Sequence, residues 1–127
     1  MNLFYGTLVY LVITFPLAVV WHMKIFRAKY MAWGYFGEDV KPVLGLCAMS
    51  VQGVVLSYGY LLLKTVQASI LSSIGYAVVM GLFLWSAHVL AAMGKSAKLR
   101  HVEFFAMETV YLLVQFVLYG MVMYAIM

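Results

Sequence analysis

Residues Ser69–Arg100 read SILSSIGYAVVMGLFLWSAHVLAAMGKSAKLR. The first 25 of these carry no Asp, Glu, Lys or Arg, and three cations follow within seven residues. A run this long is enough to cross a ~30 Å hydrocarbon core as a helix, which takes about 20 apolar residues. The cations after it mark the end of the span that stays in the cytoplasm. The remainder of the chain repeats the arrangement. Apolar stretches also occupy about 3–22, 42–63 and 102–127, with Ser69–Met93 as the third of four. Backbone groups in lipid must be satisfied within their own segment, so each stretch is predicted to be a helix. The expectation is one all-α domain over residues 1–127, a polytopic membrane protein with four transmembrane helices in an up-down bundle.

Composition agrees. The chain is 67% hydrophobic and 9% charged, against about 25% charged residues in soluble domains. Seven of its eight basic residues fall in two gaps: Lys24, Arg27, Lys29 and Lys41 after the first stretch, Lys95, Lys98 and Arg100 after the third. The middle gap holds only Lys64. This bias predicts both termini outside and the two basic loops in the cytoplasm. The positive charge beside the spans suits anionic headgroups, so the bilayer is the expected partner and nucleic-acid binding is not supported. The lone Cys47 excludes an intrachain disulfide or CxxC pair. The N-terminus has neither a basic n-region nor a small-x-small cleavage site, so the first span is expected to remain in the protein.

Two features shape the expected packing. Ser69, Ser73, Ala77 and Gly81 form a small-xxx-small ladder that lets helices approach closely, continued by Trp85 and His88. Gly45, Ala48, Gln52 and Gly59 make a comparable stripe on the second span, and both stripes are expected to face the bundle interior. Pro42 fits a first helical turn, and Pro16 lies inside the first span, where it frees a carbonyl or kinks the helix. Residues 23–41 alternate basic with apolar side chains, as in a helix lying in the headgroup region. Trp33, Tyr35 and Phe36 would then join the interfacial aromatic belt. The other reading of this loop is a lid over a binding site.

Ionisable groups inside a bilayer are costly and often functional. His88 and Glu108 each lie some six residues from the cytoplasmic ends of their spans, about 9 Å deep at 1.5 Å per residue. His22 lies slightly shallower. These three, with Gln52, Gln115 and Ser50, are predicted to converge on one polar cluster in the cytoplasmic half, and serve either to fix helix register or to bind a ligand or relay protons. Two histidines on separate helices also admit a haem, and two histidines with a carboxylate a metal ion. The sequence does not select a cofactor. The span-embedded acid of small multidrug transporters is missing from the first span, and the charge bias opposes the dual insertion of fluoride channels. No zinc-protease motif or phosphate loop occurs, so an enzyme is the less favoured class.

Four further stretches carry a resemblance: Gly34-Tyr35-Phe36-Gly37 leading to Pro42; Ala48 to Gly53; Gly81 to Leu90; and Glu108-Thr109-Val110-Tyr111 followed by Gln115-Phe116. Together they resemble short bacterial inner-membrane proteins of uncharacterised function. The resemblance implies a bacterial four-helix protein and assigns no residue a role. Three functions follow as expectations. The first is a ligand-binding or proton- or solute-translocating bundle, alone or as a homo-oligomer. The second is an accessory or assembly subunit of a larger membrane complex, and the third a haem- or metal-dependent redox protein.

Overall fold

In the computed structural model, which describes residues 2–127 (for Lys64 the backbone alone), four long helices carry the fold. Helix α1 covers Leu3–Ile25, α3 Pro42–Leu62, α4 Ile70–Lys95 and α5 Val102–Ile126, and all four are long and apolar enough to cross a membrane. A short helix, α2 (Arg27–Ala32), sits between the first two. The protein is an all-α, multi-pass membrane protein.

Local chemistry sets the helix starts. Asn2 caps α1 by accepting the Tyr5 N–H through its side chain at 2.8 Å. Ser69 caps α4 in the same way through Ser72 N–H at 3.0 Å, and Pro42 opens α3. Such caps satisfy amide donors that have no partner within the helix.

The outward faces are lipid-like: Phe83 is 80% exposed and Leu71 78%. The buried face is unusually rich in tyrosine, with Tyr10, Tyr60, Tyr111 and Tyr119 beside Leu56, Ala77, Leu112, Phe116 and Met123. Each phenol gives apolar area, and the hydroxyls of Tyr10, Tyr60 and Tyr119 find hydrogen-bond partners.

Helices α4 and α5 pack closely, as do α1 and α3, and α1 joins the two pairs by lying on α5. The small-residue ladder of α4 is used here: Ser73, Ala77 and Gly81 are all buried, and Ser73 Oγ donates to the Gly120 carbonyl of α5 at 2.7 Å. The second-span stripe differs from expectation. Gly45 and Ala48 are exposed, and the buried face of α3 is Gly53, Leu56, Ser57 and Tyr60. The reason is that α3 joins α4 only near Leu56 and Tyr60, through Tyr60 to Ser73 and Tyr76 to the Leu56 carbonyl. Toward Pro42 it has α1 alone as a neighbour, and a cavity opens between α3 and the rest of the bundle.

Candidate functional site

Glu108 is fully buried at the basic-loop end of α5. Its Oε1 lies 3.1 Å from His22 Nε2 of α1 and 2.9 Å from His88 Nε2 of α4. Three spans therefore meet at one carboxylate. No Lys or Arg among the described residues comes within ion-pair distance of it.

Both histidines stand in π-helical turns. Val19–Ile25 closes α1 with i→i+5 hydrogen bonding, and Phe26 N–H reaches the Trp21 carbonyl at 3.1 Å. The second π turn, Ser86–Ala91, interrupts α4 around His88. Such turns are rare in helices and are frequently found at functional sites. Here the extra residue per turn presents each imidazole to the carboxylate.

The loop after α1 supplies two further donors. Tyr30 of α2 is fully buried and donates to Glu108 Oε2 at 2.6 Å. Tyr35 lies 2.8 Å from His88 Nε2 and 3.4 Å from Glu108 Oε1, and its ring stacks on His22 with planes 7° apart. Trp33 packs edge-on against Phe104, and Lys29 pairs with Glu103 at the surface. The aromatics expected in the interfacial belt instead pack over the cluster with Tyr30: Trp33 is buried and Tyr35 and Phe36 are half-buried, while Arg27, Lys29 and Met31 face outward.

Glycine makes this path possible. Gly34 and Gly37 take φ of 64° and 67°, a left-handed conformation costing other residues about 1–2 kcal/mol. A Cβ at Gly37 would meet nothing within 4 Å, so Gly37→Ala tests the backbone alone. It is expected to destabilise the protein by about 1 kcal/mol and to loosen Tyr35. Thermal unfolding in mild detergent measures the first, and the chemical shifts of the His22 and His88 rings report the second.

The hydrogen bonds restrict where protons can be. Nδ1 of His22 is 3.0 Å from the Ala18 carbonyl, which only accepts, so Nδ1 carries a proton. Tyr30 accepts from the Trp21 indole N–H at 2.9 Å and must give its own proton to Glu108. Between His22 Nε2 and Glu108 there is room for one proton, held either by the imidazole, as an ion pair, or by the carboxyl, as a neutral pair. His88 Nε2 faces the same choice, taking the Tyr35 proton or donating to Oε1. Its side chain is 34% exposed, against 6% for His22 and 0% for Glu108, so His88 is the exposed end of the set.

Burial and the Glu108 charge push the Tyr30 and Tyr35 phenols well above the usual tyrosine range. Because the folded state holds these protons past about pH 10, where an unfolded tyrosine releases them, the stabilisation is complete below that pH and is lost above it. The melting temperature in detergent should therefore fall more steeply above about pH 10 in the wild type than in Tyr30→Phe. Parallel slopes would show that Tyr30 contributes nothing to alkaline unfolding.

Gln52 and Gln115 do not reach Glu108. They meet at a second node, where Gln115 Nε2 donates to the Tyr10 hydroxyl at 2.8 Å and Tyr10 donates to Gln52 Oε1 at 2.7 Å. Ser50 bonds its own helix at the Leu46 carbonyl, and Cys47 is exposed. A cavity of about 710 Å³ connects the two nodes, lined by His22, Tyr35 and His88 at one end and by Thr14, Gln52 and Gln115 at the other. Lys24, Arg27 and Lys41 also line it. A smaller groove of about 200 Å³ between α4 and α5, around Leu82 and Leu113, is apolar and does not include the cluster.

Among the described residues no three His, Cys, Asp or Glu side chains are disposed to hold a metal ion. Both imidazoles turn Nε2 to the same carboxylate, so the two histidines are committed to Glu108 rather than arranged as facing axial ligands. No family model, curated protein or solved structure matches the chain.

Proposed function

We propose that this is a membrane-embedded binding protein that exchanges a proton with the occupant of its cavity through the His22–Glu108–His88 cluster. One observation carries the reading: among the described residues a fully buried carboxylate is balanced by histidines and phenols alone, and the outermost of these, His88 and Tyr35, line a cavity. A buried Arg or Lys partner would keep Glu108 charged. Histidine changes charge between about pH 5 and 8 and leaves the proton free to move. The charge bias of the loops supports a cluster on the cytoplasmic side with both termini outside, and the resemblance noted above supports a bacterial inner membrane as its location. The small-residue face of α4 is packed within the chain, whereas Gly45 and Ala48 of α3 stay exposed.

Infrared difference spectra of the protein in nanodiscs, taken across about pH 5 to 8, test this. Proton uptake by the cluster should perturb the Glu108 carboxyl and carboxylate bands, which are identified by their loss in Glu108→Gln and should shift in His88→Ala. Bands unchanged throughout that range would overturn the proposal.

A further inference from the structure

The cavity has two polar ends and an apolar middle, and each end both donates and accepts. At the far end the Gln115–Tyr10–Gln52 chain can run in either direction, because both amides can be turned over together. In either sense one amide NH2 and one amide carbonyl are left over. Beside them the buried Thr14 side chain lies against Tyr10. Buried polar groups ordinarily find partners, and Thr14, Gln52 and Gln115 all line the cavity. At the near end, His88 and Tyr35 exchange donor and acceptor roles with the position of the shared proton.

Glu108 and Gln115 are seven residues apart on α5, about 10 Å along its axis. The wall between is formed by side chains such as Ala18, Met49, Leu84 and Leu112. Among the described residues, hydrogen bonds join α3 to α4 only at the Leu56–Tyr60 end, which leaves the gap between these helices on the cavity side as an entrance from the lipid. The volume is in the ~300–1,000 Å³ range of small-molecule sites.

We infer that the occupant is a lipid-soluble quinone or its quinol, lying with one oxygen toward His88 and Tyr35 and the other toward Gln52, Gln115 and Thr14. A quinone oxygen accepts as a carbonyl and donates as a hydroxyl, which is the ambivalence that both ends offer. A flat apolar ring with oxygens at opposite corners, extended by one hydrogen bond at each, matches the spacing of the two nodes. Its apolar tail leaves through the gap between α3 and α4. The inference rests on the proton-exchange reading: the position of the shared proton sets whether the near end donates to a quinone oxygen or accepts from a quinol hydroxyl, and the ligand gains or loses a proton only together with electrons that a separate membrane oxidoreductase supplies or removes.

Nanodiscs of quinone-free phosphatidylcholine, with and without the protein, are incubated with decylubiquinone or decylubiquinol, and the retained compound is extracted and quantified. Saturable retention above empty nanodiscs is expected for both forms. Gln115→Leu and Gln52→Leu, each checked for helix content, should weaken it about tenfold, and Leu82→Ala, in the outer groove, should leave it unchanged. Equal retention of decanol would show that the chain alone is bound and would overturn the inference. So would decanoate retention that is lost in Lys24→Ala or Arg27→Ala, since the ligand would then be an anionic amphiphile held at the cavity mouth. Failure to retain decylubiquinone while the Glu108 infrared signal persists removes the quinone and leaves proton exchange standing. Loss of both removes both.

Discussion

Glu108→Leu is expected to cost the protein most of its folded population in mild detergent, while Glu108→Gln stays folded and loses proton exchange. The difference comes from what each change leaves unpaired. Leucine removes the acceptor for Tyr30 and His22, both buried, and for the more exposed His88. A buried donor left without a partner costs about 1–3 kcal/mol, so two such donors cost roughly 2–6 kcal/mol, a large part of the ~5–15 kcal/mol that typically separates folded from unfolded protein. Glutamine keeps the shape. Its carbonyl accepts from Tyr30, and its NH2 donates to a neutral imidazole. What it cannot do is hold or release a proton. Unfolding in graded denaturing detergent separates the variants, and equal stability of Gln and Leu would mean that the cluster is not a strong structural constraint.

The spans and the meeting of His22, His88 and Glu108 were legible because both depend on quantities a sequence carries. Hydropathy fixes the helices, and rise per residue fixes depth. Once α1 and α4 run one way and α5 the other, groups of similar depth have few other partners, and the structure brings these three together. Gln52 and Gln115 were harder. Depth placed them near the cluster, but seven residues along α5 puts Gln115 two turns away, and Tyr10 claims both amides. Tyr30 and Tyr35 were missed because a loop of aromatic and basic residues has the composition of an interfacial segment, whichever way it folds. The signal available was Gly34 and Gly37 bracketing Tyr35-Phe36, a pair of residues able to take positive φ on either side of two aromatics. The π turns left no sequence signal. They are set by the packing that needs them.

Gly120→Ala is expected to destabilise the protein by about 1–3 kcal/mol, the usual cost of overpacking, even though the same change in a helix normally gains about 0.5–1 kcal/mol. A Cβ on Gly120 would lie 2.7 Å from Ile74 Cα and 3.1 Å from the Ser73 carbonyl oxygen. Both are backbone atoms of α4, so no rotamer change relieves the clash and the two helices must separate. Separation stretches the 2.7 Å bond from Ser73 to the Gly120 carbonyl and loosens close packing, which in lipid is a main source of helix association. Gly75 supplies the control. It lies on α4, and a Cβ there meets nothing within 4 Å, so Gly75→Ala should stabilise by about 0.5–1 kcal/mol. Opposite signs at the two glycines would show that the α4–α5 contact limits the fold, and a stabilising Gly120→Ala would show that it does not. The same contact bears on the site. Trp85 to Thr109 and His88 to Glu108 are links between α4 and α5 further along the same pair of helices, so a wedge at Gly120 should also weaken the coupling of His88 to Glu108. The Glu108 infrared band in Gly120→Ala would then lose its dependence on His88, although the substitution is more than ten residues away along α5.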